Sequence, residues 1–242
     1  MNEARGELLG GETDFFGVDF APSLIAAAHE LKSPLVLLRQ LTFQIEDDKD
    51  SKTVRRMRLT TERALRLADN LTKAARLDDA MFSCEPIQLS NLCAAAIEEM
   101  QPLADALAVK IRFRPTRISR IAIGNRELLH ALLVGLIDNA LHYANGKSIE
   151  VATRFFDNKM VVSVSDAGNN ISLDEFRKLK NAIGRTNLPL SSRPLSSGLG
   201  LMIATKFAAA MNGQLSVKRR AAGGMTFMAC LPTSQQLSLL EL

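Results

Sequence analysis

Two apolar stripes, each repeating at alternating intervals of four and three residues, constrain this chain more than any other feature. Leu24, Ala28, Leu31, Leu35, Leu38, Thr42 and Ile45 form the first; Val54, Met57, Thr61, Ala64, Ala68, Leu71 and Ala75 form the second. Such spacing keeps apolar groups on one side of a helix, so the stripes predict two long amphipathic helices. The polar stretch Glu46–Ser51 between them predicts a turn and an antiparallel helical hairpin. A lone hairpin cannot cover two such stripes. Pairing with a second copy into a dimeric four-helix bundle is the predicted remedy.

The first helix carries His29-Glu30-Leu31-Lys32-Ser33-Pro34-Leu35. His29 lies one position off its stripe, which predicts an exposed rim position. Neutral imidazole is a good nucleophile near neutral pH, and the neighbouring carboxylate of Glu30 can hold its tautomer and accept its proton. Pro34 has no N–H for the carbonyl of Glu30, so the helix is predicted to loosen beside the histidine. Ser33, one helical turn after His29, shares its face.

Past Asp78–Pro86 the pattern changes to mixed helices and strands. The sequence predicts a short strand at 87–89, a helix capped by Ser90 or Asn91 and running to Ala108, and strands at 109–114 and 118–123. Asn125 is a predicted N-cap for a helix through Ala144, and Asp157-Asn158 a hairpin turn between strands 148–156 and 159–166. Helices at 172–183 and 199–211 flank a polar loop, and two strands around Gly223-Gly224 close the unit. The expected fold class is therefore a helical hairpin followed by an α+β sandwich, one mixed sheet with helices on one face. The corresponding domains are a loose arm (1–18), the hairpin (19–80), a linker (81–86), the sandwich (87–233) and an apolar tail (234–242).

Composition excludes several classes. With 242 residues, 47% hydrophobic and 23% charged, the chain reads as a globular protein. The net charge of +4 comes with no dense basic tract and does not argue for nucleic acid. No stretch approaches the roughly 18–20 apolar residues of a membrane span, and the acidic start lacks a secretory signal pattern. Cys84, Cys93 and Cys230 are widely spaced and read as free thiols of a reducing cytoplasm.

Within the sandwich, Gly135, Asn139, His142 and Tyr143 fall on one face of a helix. A neutral Asn on an otherwise apolar helix suits a Mg²⁺ ion held mostly by phosphates and water. Asp166-Ala167-Gly168 ends a strand, where a carboxylate can accept from an exocyclic amine and a glycine lets a flat ring approach. Gly198-Leu199-Gly200-Leu201 opens a helix, a natural phosphate site. Gly213 and Gly223-Gly224 read as a helix cap and a hairpin turn without a ligand role.

Taken in order, these features resemble the transmitter core of sensor histidine kinases of two-component systems, over about residues 20–232. The His29–Leu35 string resembles the phosphoacceptor motif, Leu136–Tyr143 the asparagine box, and Asp166–Gly168 and Gly198–Leu201 the two glycine boxes. The resemblance implies ATP and Mg²⁺ as cofactors, His29 as the phosphorylated residue with Glu30 as its base, and Asn139 as the metal ligand. It implies Asp166 and Gly168 at the adenine, and His142, Tyr143, Arg185, Gly198, Leu199 and Gly200 around the phosphates, under a lid at 184–197. The implied partners are a second copy of the chain and a response-regulator receiver. Ser33 stands where the family uses a side chain to dephosphorylate that receiver. The signal is expected from a separate sensor protein or a sensor region outside this chain.

Departures from the family pattern are Gly135 for a first Asn, Asn169-Asn170 in the first glycine box, His142 for a phosphate-binding Lys, and Ser196 for a Gly. Arg185, Arg193 and Lys147 are candidates to replace the lost charge. The departures define a second reading: a nucleotide-binding pseudokinase that docks receivers as phosphatase or scaffold. A third, a chaperone-like or mismatch-repair-like ATPase, leaves the His-bearing hairpin unexplained.

Overall fold

In the computed structural model the described residues are 28, 31–32, 35–42, 52–77, 82–118, 120–169, 171–183 and 199–234. His29, Glu30, Ser33, Pro34, Arg185, Arg193 and Gly198, the arm, the lid and most of the apolar tail lie outside them. A first helix, α1, is described at 28, 31–32 and 35–42, and α2 spans Lys52–Ala75. Lys32 Nζ donates to Asp69 Oδ1 (2.6 Å), and Arg58 Nη2 to the carbonyl of Thr42 (3.4 Å). Partners thus retreat along α2 as they advance along α1, so the two helices run antiparallel. Small residues line their contact: Ala28, Thr42, Thr61 and Ala68 are buried. The threonines are tolerated there because their hydroxyls find carbonyls in the preceding turn, Thr42 that of Arg39 and Thr61 that of Met57.

The expected inner stripe divides. Leu31 and Leu38 belong to it by spacing, yet they are 58% and 44% exposed, beside Leu37 and Leu41. The described part of α1 therefore turns most of its leucines away from α2.

The second unit runs β1 (Glu85–Ile87), α3 (Leu89–Ala106), β2 (Ile111–Arg114), β3 (Ala122–Gly124), α4 (Arg126–Tyr143), β4 (Ile149–Phe156), β5 (Lys159–Ser165), α5 (Leu173–Ala182), α6 (Leu199–Ala210), β6 (Gln214–Arg219) and β7 (Met225–Pro232). Its main sheet has the order β2-β4-β5-β7-β6, with β2 parallel to β4 and the other neighbours antiparallel. Alternate residues of each strand (Ile149 and Val151, Val162 and Val164, Leu215 and Val217, Phe227 and Ala229) are buried beneath α3, α4 and α6. This is the expected mixed sheet with helices packed on it.

Local signals explain the element ends. Asn125 accepts the N–H of Leu128 and caps α4. Asp157 and Asn158 both take positive φ (49° and 55°), as a two-residue hairpin loop requires. Ser172 and Glu175 form a reciprocal capping box on α5, and the Ser172 hydroxyl and backbone N–H hold the Glu175 carboxyl below its ordinary range.

Three expectations need correction. α3 starts at Leu89 after Gln88, with no side-chain cap, so Ser90 and Asn91 lie inside its first turn. The strand expected at 87–89 is Glu85–Ile87, and it takes up the end of the expected 81–86 linker. The strand expected at 118–123 shrinks to Ala122–Gly124, which pairs with β1 and makes a single bridge, Ala122 to Thr233, at the end of β7. Cys84, Cys93 and Cys230 are free thiols, and burial pushes Cys93 up to about 12, which leaves it an apolar filler.

Candidate nucleotide site

α4 is oriented by its own apolar residues. Leu128, Leu129, Leu132, Leu133, Leu136, Ile137 and Leu141 are all buried against the sheet and neighbouring helices. That leaves one narrow strip (Gly135, Asp138, Asn139, His142, Tyr143) looking outward. The strip lines a crevice of about 480 Å³. α6 supplies a second wall with Gly200, Ala204 and Phe207, and α2 a third with Thr60, Arg63, Arg66 and Asn70. A Cβ placed at Gly135 or Gly200 would meet nothing within 4 Å, so both glycines border open space.

Behind the end of α4 lies Asp166, 1% exposed. Its Oδ1 accepts the N–H of Gly168 (2.9 Å) and its Oδ2 the N–H of Met225 (3.3 Å). Its carbonyl accepts from Arg220 Nη1 (2.6 Å). Gly168 runs so close to α4 that a Cβ there would collide with the carbonyl oxygen of Tyr143, and a Cβ at Gly224 would collide with the carbonyl of Asp166. The carboxylate is thus fixed between the asparagine-bearing helix and the β6–β7 hairpin. Backbone N–H groups stabilise its charge in place.

Of the residues singled out in the sequence, Asn139, His142, Tyr143 and Gly200 meet in one crevice, with Leu199 opening the helix on its far wall. Asp166 and Gly168 sit beside Tyr143. Lys147 is exposed and does not line the crevice. Among the described residues, no three His, Cys, Asp or Glu side chains gather to hold a metal ion. A cation here would rely on phosphate oxygens, water and an amide such as that of Asn139, a donor set that suits Mg²⁺.

Sequence reasoning missed the charged groups that join the two units. Arg63 Nε contacts Asp138 Oδ2 (2.7 Å), Arg66 Nη2 approaches Asp138 Oδ1 (3.7 Å), and Lys73 Nζ meets Glu127 Oε1 (2.7 Å). These are ordinary surface charges in the sequence, and nothing local marks their partners. Arg220 and Gly224 were also missed as supports of Asp166. The double glycine signalled only a turn.

Comparison with known proteins points to a family. Residues 124–235 match the model of the histidine kinase-, DNA gyrase B- and HSP90-like ATPases. The sensor protein CutS of Streptomyces coelicolor is 28% identical over 214 residues, 85% of this chain and 51% of that protein. The signal transduction histidine-protein kinase BaeS of Escherichia coli is 25% identical over 217 residues, 87% of this chain and 46% of its own length. These matches support a sensor histidine kinase transmitter core. The chain spans about half the length of those curated relatives. Solved structures agree on the fold: full-length ShkA in complex with AMPPNP superposes with a TM-score of 0.65 at 21% identity, over 90% of this chain and 47% of that one. The histidine kinase AdeS of Acinetobacter baumannii gives 0.57 at 16% identity, over 86% and 98%. Among the described residues, no helix of the transmitter is long and apolar enough to cross a membrane.

Proposed function

We propose that this transmitter uses ATP to phosphorylate His29 and passes the phosphoryl group to an aspartate of a response-regulator receiver. The observation that carries the reading is the crevice itself. The walls bearing Asn139 and Tyr143 on one side and Gly200 on another meet α2, the helix that follows the His29 segment in the chain. The complex of ShkA with an ATP analogue supports a nucleoside triphosphate as the ligand of this fold.

In this reading Asp166 receives the adenine amine, and Gly168 leaves room for the ring. The first turn of α6, with Leu199 and Gly200 preceded by Gly198, offers backbone N–H groups to the phosphates, and Arg185 adds charge from the lid. Asn139 is the protein ligand for Mg²⁺, which would supply charge neutralisation to the triphosphate. The lone pair of a His29 ring nitrogen attacks the γ-phosphorus while the bond to the β,γ-bridging oxygen breaks and ADP leaves. Glu30 accepts the proton from the other ring nitrogen. Positioning and charge stabilisation carry most of such a transfer. The reverse chore belongs to Ser33, which directs water at the phosphoaspartate of the docked receiver. A dimer, formed through the outward leucines of α1, is the working unit.

Incubation with γ-labelled ATP tests the reading. Acid-labile, base-stable label should appear, and it should vanish in His29→Gln and Asn139→Ala while both variants keep the wild-type oligomeric state. Absence of label in wild-type chain that demonstrably binds ATP would overturn it.

A further inference from the structure

Arg63 occupies a place that the interface alone does not explain. Its Nε is held by Asp138 Oδ2 (2.7 Å), and its Nη1 lies 3.4 Å from Nδ1 of His142. A guanidinium has only donors, so Nδ1 must accept, which puts the ring proton of neutral His142 on Nε2. The arginine therefore fixes the imidazole as a donor at its other end. Half exposed, with two of its five N–H groups engaged in these contacts, Arg63 borders the same crevice as Asn139, Tyr143 and Gly200. The ion pair with Asp138, whose side chain is 14% exposed, accounts for the Nε of Arg63 alone.

The charges of the crevice fit an anion. Among the described residues, its lining carries Arg63 and Arg66 against the carboxylate of Asp138. Opposite them stands the start of α6, a helix of 12 residues whose first-turn N–H groups have no intrahelical partner. Helix start on one wall and guanidinium on the other bracket a space whose glycines leave room for a polyphosphate.

We propose that Arg63 of α2 and His142 of α4 form a polyphosphate-binding pair, so that the nucleotide site is composite and is completed only when the hairpin lies against the ATP-binding domain. The proposal rests on the ATP-dependent function above and names the group that supplies the cation missing at His142. It also links nucleotide binding to docking: a triphosphate bound by both units must strengthen their contact by the same factor by which the contact strengthens binding.

Titration calorimetry of the full chain with ATP, ADP and AMP tests the pair. Arg63→Ala should weaken ATP about tenfold or more, ADP less, and leave AMP within about twofold, while Arg63→Lys, which keeps the charge without the planar fork, should recover part of the ATP affinity. Asp138→Asn separates binding from latching. It breaks the ion pair but leaves the cation, so ATP affinity should hold or rise. Equal losses in Arg63→Ala and Asp138→Asn would reduce Arg63 to a structural latch and overturn the proposal. So would ATP affinity unchanged in Arg63→Ala when the wild type binds ATP. A wild type that binds none of the three nucleotides would instead overturn the ATP-dependent function, and the pair with it.

Discussion

The ATP-binding domain buries a continuous apolar core and exposes only scattered apolar side chains such as Phe156 and Leu173, whereas the helical hairpin leaves a row of leucines open. In the domain, Leu129, Leu133, Ile137, Val162, Phe227 and Leu231 are all at 2% exposure or less. In the hairpin, Ala28, Thr42, Thr61 and Ala68 fill the seam between the helices, while Leu31, Leu37, Leu38, Leu41 and Met57 stand 44–58% exposed. Alanine and threonine let two helices approach closely but bury little area. Each leucine fully removed from water contributes roughly 1.5–3 kcal/mol, so the outward row is the hairpin's largest unspent source of stability. The contrast teaches that one region buries a continuous core within a single copy, while the other leaves a row of leucines that the proposed dimer would cover.

The largest effect should come from attacking that half. Leu37→Glu combined with Leu41→Glu should convert a dimer into a monomer by sedimentation, and leave the main thermal transition of the ATP-binding domain in place. A variant that stays dimeric would place the interface elsewhere. Next in size is a change inside the closed region. Gly224→Val forces its side chain into the carbonyl of Asp166, so ATP affinity should fall by about tenfold or more while the dimer persists. Unchanged affinity would remove Asp166 from the adenine site. The smallest effect is a gain. Gly135→Asn meets nothing within 4 Å and replaces a mid-helix glycine, so stability should rise by roughly a few tenths of a kcal/mol. By adding a second amide beside Asn139 it should also increase the labelling rate severalfold. A lower melting temperature or a slower rate would show that the space at 135 is already used.

The same contrast governs what could be read in the sequence. Features decided by a few neighbouring residues were legible: the Asn125 cap, the Asp157-Asn158 turn, the Ser172–Glu175 box and the face shared by Asn139, His142 and Tyr143. Alternation in β4 to β7 gave the sheet for the same reason. The start of α3 was misplaced because Ser90 and Asn91 are good caps by type, whereas burial of Leu89 and Leu92 sets the helix in motion earlier. Ile118 read as strand by its branched side chain, but it is 48% exposed and finds no strand partner. The outward turn of Leu31 and Leu38 was hidden because spacing of three and four does not say which of two adjoining faces meets the partner helix. Arg63 and Asp138 were illegible for a simpler reason. Their contact is set by how two units pack, far apart in the chain.

The most direct test of the account is to locate the phosphate itself. Mass spectrometry of ATP-treated chain, kept at alkaline pH, should find one phosphoryl group on the peptide containing His29, absent in His29→Gln. Phosphate on Ser33 or another hydroxyl, or an unmodified His29 in a chain saturated with ATP, would contradict it.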